Sequence, residues 1–441
     1  FYKPASDSPE IKYMMERREA LGGFVPQRKR KGNSLKTPPL SAFENMLTAT
    51  GEREISTTMA FVRILSTLVR DKELGKYIVP IVPDEARTFG MEGMFRQLGI
   101  YSSVGQLYEP QDSDQVMFYK EQTDGQILEE GINEAGSFSS WVAAATSYTV
   151  NGIQMIPFYI FYSMFGFQRI GDLAWAAGDS RARGFLLGAT AGRTTLNGEG
   201  LQHEDGHSQL MAAMIPNCVS YDPTFAYELA VIMQDGLKRM IENQEDVFYY
   251  ITVMNENYSH PEMPKGSEAD IIKGMYSFST SKIKGEKVQL MGSGVILREV
   301  IEAQKILESD YGVSADVWSV TSFNELRKDA LEADRWNRMN PDKPQKESHV
   351  VKLLKKAEGP IIASTDYMKS FAEQIAVFLP HKFVALGTDG FGRSDSREKL
   401  RHFFEVKPAA RPSSPRPWAA EAGSARTGGR GRRRSRRCRR T

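Results

Sequence analysis

Cysteine and long apolar runs are scarce in this 441-residue chain. Its two cysteines, Cys218 and Cys438, exclude a disulfide framework and indicate a reducing compartment, so we expect a cytoplasmic protein. The most apolar run, MIPFYIFYSMFGF at 155–167, contains Pro157 and is shorter than the roughly 20 residues that a bilayer span takes. The sequence therefore predicts neither a disulfide-rich secreted domain nor a membrane protein.

Several short catalytic motifs are also missing. The chain has no GxxxxGK(S/T) phosphate loop, no CxxC pair and no GxSxG elbow. The stretch GSGVIL, 292–297, has the first two glycines of a dinucleotide fingerprint, but Leu297 replaces the third. We interpret it as a tight strand-to-helix turn, because two glycines alone are a weak signal.

A strong charge asymmetry lies behind the net charge of +2. Residues 411–441 contain eleven arginines and one acid, Glu421, so this tail carries +10 and leaves −8 for residues 1–410. The tail lacks the apolar residues that a folded core needs, and we expect it to be disordered. It is either an arm that binds nucleic acid nonspecifically through phosphates, or GC-rich DNA translated out of frame. We favour the frameshift.

Short apolar runs alternate with amphipathic segments, which predicts an α/β fold with parallel sheets. A polar connector at 255–270 separates two such series and predicts a domain boundary near 260–275. The predicted strands are 78–86, 156–165, 184–192, 246–254, 287–294, 315–323, 360–367 and 382–392. The predicted helices are 8–21, 54–71, 134–150, 167–183, 224–241, 295–312, 324–336 and 368–379.

HEDGH, 203–207, matches the H-E-x-x-H pattern of zinc hydrolases. Zinc binding by this pattern requires both histidines on one rigid helix, one turn apart. Asp205 and Gly206 lie between them, and both residue types disfavour a helix interior. We therefore predict a loop and interpret the zinc match as accidental.

Long blocks of the sequence carry a family resemblance, and they occur in the family's order. They are EISTTMAFVRIL, VPDEARTFGMEGMFRQLGIYS, ILEEGINEAGSFSSWVAAATSY, PFYIFYSMFGFQRIGDLAWAAGD, GRTTLNGEGLQHEDGHS and GTDGFGRSDSREKLRHFFEV. On these blocks the chain resembles the homodimeric bacterial type of pyruvate dehydrogenase, the decarboxylating component of its complex and a transketolase-like thiamine-diphosphate enzyme. The resemblance covers Phe1 to about Val406, and the arginine-rich tail then replaces the family's ending, which is why we favour a frameshift.

The resemblance implies two parallel-sheet domains. Residues 51–262 correspond to a thiamine-diphosphate pyrimidine-binding domain and residues 270–406 to a transketolase C-terminal-like domain, here truncated. Residues 1–50 are a linker and 407–441 the tail. The family's GDG motif, which binds the cofactor diphosphate through magnesium, is absent, and the chain starts with Phe1. We therefore expect a fragment whose magnesium ligands lie in a missing N-terminal domain.

The resemblance also implies which residues bind the cofactor. Glu134 corresponds to the carboxyl group that drives the pyrimidine ring into its imino form. Phe165 lies against the pyrimidine face, and Ile132 is a further cofactor contact. From the sequence alone, Glu134 would be interpreted as structural, because acids are common in first helical turns, and Phe158 and Phe161 as core residues.

On the substrate side, the resemblance implies Tyr162, Glu85 and His203. Tyr162 can offer a hydroxyl to the substrate, and His203 can bind the pyruvate carboxylate or the developing alkoxide. Glu85 lines the substrate pocket, unless it pairs with Arg87 or another arginine. His207 orients the loop.

The activity implied is oxidative decarboxylation of pyruvate, with transfer of the acetyl group to the lipoyl domain of dihydrolipoyl acetyltransferase. Transketolase and dehydrogenases for larger 2-oxo acids are alternatives within the group. A zinc hydrolase and a basic-tailed nucleic-acid-binding fragment are alternatives of other classes. We expect the fragment alone to be inactive.

Overall fold

A six-stranded and a five-stranded sheet form the framework of the chain in this computed structural model, which describes residues 2–23, 29–111 and 119–408. The predicted tail lies outside the described residues from position 409 onward. Residues up to Pro408 belong to one compact unit. Within the described ranges, no helix combines the length and the apolar composition needed to cross a bilayer.

The first sheet is entirely parallel and has the order β4-β1-β5-β6-β8-β7. Its central strands are runs of valine, isoleucine, phenylalanine and tyrosine because helices cover both faces. A separate short parallel pair joins β2 and β3. The strands are β1 (Ile78–Val82), β2 (Ile100–Tyr101), β3 (Glu121–Gln122), β4 (Leu128–Glu129), β5 (Ile156–Tyr162), β6 (Phe185–Ala189), β7 (Cys218–Tyr221) and β8 (Phe248–Thr252).

Helices precede, connect and flank these strands. Helix α3 starts at the N-cap Ser56, whose hydroxyl accepts a hydrogen bond from the Met59 amide at 3.1 Å, and its apolar face packs into the core. The helices are α1 (Pro9–Ala20), α2 (Glu44–Leu47), α3 (Thr57–Val69), α4 (Glu92–Leu98), α5 (Glu134–Ala145), α6 (Ser147–Val150), α7 (Phe167–Asp179), α8 (Ser208–Ala213) and α9 (Ala226–Leu237).

The second sheet has the order β13-β12-β10-β11-β9, and its edge strand β9 runs antiparallel to β11. Its strands are β9 (Met275–Ser279), β10 (Lys287–Gly292), β11 (Ser314–Val320), β12 (Ile361–Ser364) and β13 (Phe383–Leu386). Its helices are α10 (Glu268–Ile272), α11 (Ile296–Tyr311), α12 (Phe323–Met339), α13 (His349–Leu354), α14 (Ser370–Glu373) and α15 (Arg397–Phe403).

The predicted α/β class with two largely parallel sheets is confirmed. Several local predictions differ from the structure, and the helix predicted over 134–150 is divided into α5 and α6. The predicted strand 156–165 ends at Tyr162, and Phe165 lies in a 3-10 turn. The short strand β7 and the antiparallel β9 were not predicted. The single helix predicted over 368–379 is instead α14 and a 3-10 turn, where the Gln374 amide donates to the Phe371 carbonyl at 2.7 Å.

Buried carboxyl groups join the two sheets. The Glu228 carboxylate accepts hydrogen bonds from the Tyr276 and Ser319 hydroxyls, both at 2.6 Å, which lie on strands of the second sheet. Asp366, which follows β12, accepts from the Thr194 amide at 2.9 Å and from the Thr195 hydroxyl at 2.6 Å. Burial raises the pKa of both carboxyl groups, and these hydrogen bonds counteract that effect.

A glycine makes the approach to Asp366 possible. Gly192 has φ of +90°, and a Cβ atom at this position would lie 2.1 Å from the Asp366 Oδ2 atom. A side chain here meets both backbone strain and a buried carboxylate.

We expect Gly192→Ala to lower the free energy of unfolding by about 2–5 kcal/mol, since left-handed strain and steric overlap add. Gly266→Ala is the matched control, because Gly266 has φ of +78° with no atom within 4 Å of its added Cβ. Gly266→Ala should lower the free energy of unfolding only by the cost of the left-handed backbone strain, about 1–2 kcal/mol. Urea unfolding of both variants measures the difference, and equal losses would show that Asp366 tolerates the methyl group.

Candidate active site

The carboxyl ends of four parallel strands meet at one edge of the first sheet. Asp84 and Glu85 follow β1, Tyr162 ends β5, Thr190 follows β6 and Asn255 comes after β8. Parallel strands direct the loops after them to the same edge, which is where α/β proteins place their ligand sites. The sequence order of these strands therefore brings distant polar residues together.

These residues line a pocket of about 500 Å³. Three predicted site residues lie in it: Glu85, Tyr162 and His203. The remaining lining residues were not predicted, and they are Asp84, Thr88, Thr190, Leu196, Asn197, Glu199, Asn255 and Arg397. Arg397 belongs to α15, so the segment after the second sheet also contributes to the pocket. Nothing in the local sequence around Arg397 signals this role, because its approach depends on the packing of α15.

His203 is held by aromatic contacts. Its ring centroid lies 5.0 Å from that of Tyr162, at an interplanar angle of 75°, and 5.2 Å from that of Phe165. The Tyr162 and Phe165 rings are themselves 6.0 Å apart. Phe165 is thus in contact with the pocket residues although it does not line the pocket. The Tyr162 and Phe165 rings fix the imidazole at the pocket wall.

The prediction that HEDGH forms a loop is confirmed. His203 ends a 3-10 turn, Leu201–His203, and α8 starts only at Ser208. Asp205 fixes the turn before α8 by accepting hydrogen bonds from the His207 amide at 3.0 Å and the Ser208 amide at 2.9 Å. The two histidines therefore do not occupy successive turns of one helix. In the described part of the chain, no group of three His, Cys, Asp or Glu residues is arranged to hold a metal ion.

Carboxyl groups dominate the electrostatics of the pocket. Burial raises the pKa of Asp84, and the neighbouring Glu85 and Glu134 charges raise it further. Burial also raises the pKa of Tyr162, so its phenol keeps its proton near neutral pH and can donate a hydrogen bond. Glu85 accepts from the Thr88 hydroxyl at 3.0 Å, and among the described residues it forms no ion pair with Arg87.

Glu134 is the first residue of α5, and its side chain is largely buried. Asn133 caps this helix, because its side-chain oxygen accepts from the Gly136 amide at 3.0 Å. The Glu134 carboxylate accepts a hydrogen bond from Arg169, whose guanidinium carbon lies 4.2 Å from the Phe165 ring centroid. Glu134 is thus linked to the pocket through Arg169 and Phe165 and does not line it.

Ile132 lies in the loop before α5, and 76% of its side chain is exposed. The structure therefore brings Glu85, Tyr162, His203 and Phe165 into one cluster, with Glu134 next to it. It leaves Ile132 at the surface, and the cofactor contact predicted for this residue stays a prediction.

Glu204 lies directly after His203 in the HEDGH pattern, and its side chain is buried. It is 1% exposed, and neither carboxyl oxygen has a hydrogen-bond partner among the described residues. Burial, together with the Asp366 charge, raises its pKa to about 8. The positive charge of the Arg193 guanidinium lowers the pKa of Glu204 and offsets part of this increase. A neutral Glu204 is what such a site favours, since an unpartnered buried carboxylate is costly.

Comparison with known families and proteins identifies what the chain is similar to. Residues 40–261 match the pyruvate dehydrogenase E1 component middle domain, and residues 274–407 match the transketolase-like TK C-terminal domain. The pyruvate dehydrogenase E1 component of Pseudomonas aeruginosa is 68% identical over 408 residues, and that of Escherichia coli K12 is 57% identical over 402 residues. These alignments cover 92% and 90% of this chain but 46% and 45% of the relatives, so the chain spans about half of their length.

Solved transketolases share the fold. The Campylobacter jejuni enzyme superposes with a TM-score of 0.61 at 16% identity, covering 90% of this chain and 51% of that chain. A split-gene transketolase, described as an inactive β4 tetramer, has a TM-score of 0.50 at 14% identity and covers 80% of this chain and 94% of its own.

The raised pKa of Glu204 predicts a pH dependence of stability. The usual glutamate pKa is 4.5, so between about pH 4.5 and 8 the folded chain retains a proton that the unfolded chain releases. The free energy of unfolding therefore falls as pH rises through this window, by up to about 1.4 kcal/mol per pH unit from this group. Glu204→Gln keeps the shape without the charge, and we expect a shallower fall in urea unfolding.

Glu332→Gln, at an exposed position of α12, is the control and should leave the pH profile unchanged. Profiles for Glu204→Gln and the unsubstituted chain that stay parallel from pH 5 to 8 would contradict the assigned protonation.

Proposed function

Because this chain belongs to the pyruvate dehydrogenase E1 component family, we propose that it forms part of an enzyme that decarboxylates pyruvate. The enzyme would use thiamine diphosphate and transfer the acetyl group to the lipoyl domain of a dihydrolipoyl acetyltransferase. The observation that carries the proposal is the pocket at the strand ends, where Glu85, Tyr162 and His203 meet. The complete enzyme would be a cytoplasmic homodimer.

In the same proposal, residues 51–262 are the pyrimidine-binding domain and residues 270–406 the transketolase C-terminal-like domain. Residues 1–50 are the linker to an N-terminal domain. Magnesium and the cofactor diphosphate would be held by that domain, since the chain has no GDG motif. This division assigns one sheet to each domain.

The residues beside the pocket suit a thiamine cofactor. Glu134 supplies a largely buried carboxyl group at a helix start, and Phe165 supplies an aromatic ring that contacts the Arg169 partner of this carboxyl group. When bound, the cofactor supplies a nucleophilic thiazolium carbon and accepts the electron pair that decarboxylation releases. Glu134 would accept a hydrogen bond from the protonated pyrimidine nitrogen, and this bond would compete with the one from Arg169.

The pocket residues would bind and orient pyruvate. His203 and Tyr162 can both donate hydrogen bonds to the substrate carboxylate or to its keto oxygen as negative charge develops there. Both donors are fixed by ring packing, so little reorganisation accompanies the reaction. Arg397 adds a fixed positive charge at the pocket wall.

The acids of the pocket favour decarboxylation. Asp84, Glu85 and Glu199 line the same pocket, so a substrate carboxylate beside them experiences repulsion. That repulsion disappears when the carboxylate leaves as neutral carbon dioxide. The excess of acids therefore favours loss of carbon dioxide over retention of the carboxylate.

A chimera tests the proposed activity. Residues 40–406 of this chain would replace the matched segment of the full-length Pseudomonas aeruginosa relative, and we expect pyruvate decarboxylation that depends on thiamine diphosphate. Glu134→Ala in the chimera should lower kcat at saturating cofactor by at least about 100-fold, because a positioned acid contributes that much. Glu130→Ala is the control and should stay within about twofold, since Glu130 is exposed.

If the folded chimera binds the cofactor but prefers a larger 2-oxo acid, that acid and not pyruvate is the substrate. Transfer of two-carbon units between sugar phosphates would indicate a transketolase instead. Near-normal kcat in Glu134→Ala would remove the role assigned to that residue.

We expect the 441-residue chain alone to be inactive toward pyruvate. The split-gene transketolase, which matches most of this chain and is described as inactive, supports this expectation. Contacts to a pyrimidine ring alone must offset an association entropy of about 4–15 kcal/mol. Calorimetric titration with thiamine diphosphate and magnesium should therefore show no micromolar binding that depends on Glu134. Micromolar binding that Glu134→Ala abolishes, or acetylation of a lipoyl domain from pyruvate, would contradict the proposal that a further domain holds the diphosphate.

A further inference from the structure

A second pocket lies between α3 and the residues that precede it. Its volume is about 500 Å³, and it shares no lining residue with the candidate active site. It is lined by Ala42, Phe43, Asn45, Met46, Thr50, Arg53, Arg63, Ser66, Thr67 and Arg70. Three of these are arginines and none is an acid. We propose that this pocket, the arginine pocket, is a binding site for a phosphate ester.

The helix α3 supplies one wall of the arginine pocket. Ser66 and Thr67 lie three and four residues after Arg63, and the C-cap residue Arg70 lies three residues after Thr67, so all four lie on one face of the helix. The apolar residues of α3 occupy the other face and are buried in the core. Arg53 approaches from the loop before the helix, so the three guanidinium groups come from two separate parts of the backbone.

The three guanidinium groups have no acidic partner. Within the described ranges, Arg53, Arg63 and Arg70 form no ion pair and no side-chain hydrogen bond to a carboxylate. Burial lowers the pKa of Arg63, and the positive charge of Arg53 lowers it further. The three positively charged guanidinium groups therefore repel one another, and a bound anion would reduce this repulsion.

Other arginines in this structure behave differently. Arg169 pairs with Glu134, Arg298 and Arg401 with Glu256, and Arg183 with Asp246. These partly buried arginines pair with carboxylates, whereas the half-buried Arg63 and the exposed Arg53 and Arg70 form no ion pair among the described residues. An external anion is the partner that fits such a cluster.

The shape and chemistry of the pocket favour a phosphate ester over a carboxylate. Guanidinium groups match phosphate oxygens in pairs, and three of them more than offset the two negative charges of a phosphate monoester. Asn45 and Ser66 add neutral donors, and the apolar part of the lining consists of the exposed Ala42 and the edges of the largely buried Phe43 and Met46. The volume also lies in the range of about 300–1,000 Å³ that small-molecule sites occupy.

Isothermal titration of the 441-residue chain with adenosine 5′-monophosphate tests the proposal, with adenosine and inorganic phosphate as comparison ligands. We expect saturable one-to-one binding of the monophosphate, at least fivefold weaker binding of inorganic phosphate and no detectable binding of adenosine. Arg63→Gln and Arg70→Gln should each weaken binding at least fivefold. Arg335→Gln, at an exposed position of α12, should leave it unchanged.

The substitutions also separate this pocket from the arginine-rich tail, which attracts phosphates by charge alone. Monophosphate binding of equal strength in the Arg63 and Arg70 variants would assign it to the tail and overturn the proposal. Arg53→Gln, in a loop, provides a third variant if a helix substitution impairs folding, as judged by urea unfolding. Binding of inorganic phosphate or of a hexaglutamate peptide as tightly as the monophosphate would also overturn it.

Discussion

The buried carboxylate of Asp366 fixes the loop that carries His203. It accepts hydrogen bonds from the Thr194 amide and from the hydroxyls of Thr194 and Thr195. These threonines follow β6 of the first sheet, whereas Asp366 follows β12 of the second. The pocket wall formed by residues 196–203 therefore depends on contact between the two sheets. Gly192 permits this contact, because a side chain there would occupy the space of the carboxylate.

Buried acids with raised pKa values are a recurring element between the sheets and around the candidate site. Burial raises the pKa of Asp222 to about 7 and that of Glu204 to about 8, and it raises those of Asp366 and Glu228 as well. Most of these groups accept hydrogen bonds from hydroxyls, which limits the cost of burial. Glu204 accepts none among the described residues, so the free-energy cost of burying it is lowest when its carboxyl group is protonated and neutral.

The sequence was sufficient for the α/β class and for most long elements, because apolar runs bounded by polar turns mark buried strands. The blocks resembling a known family also predicted Glu85, Tyr162 and His203, which line one pocket. Local patterns could not reveal Arg397 or the Glu134–Arg169 pair, since both depend on tertiary packing. The edge strand β9 was not predicted because only Met275 and Tyr276 at its start are buried, so the strand does not form an apolar run.

The Glu228 carboxylate has a consequence for how the chain folds. It satisfies the amides of Thr224 and Phe225 at the start of α9 and the hydroxyls of Tyr276 and Ser319 in the second sheet. Until that sheet is assembled, this acid lacks two partners that are 48 and 91 residues away along the chain. The hydrogen bonds of Glu228 are therefore complete only after the second sheet has formed, which is late in folding. Such distant pairing makes folding slow, and a nascent chain that has emerged only to residue 270 would expose Glu228 without its hydroxyl donors.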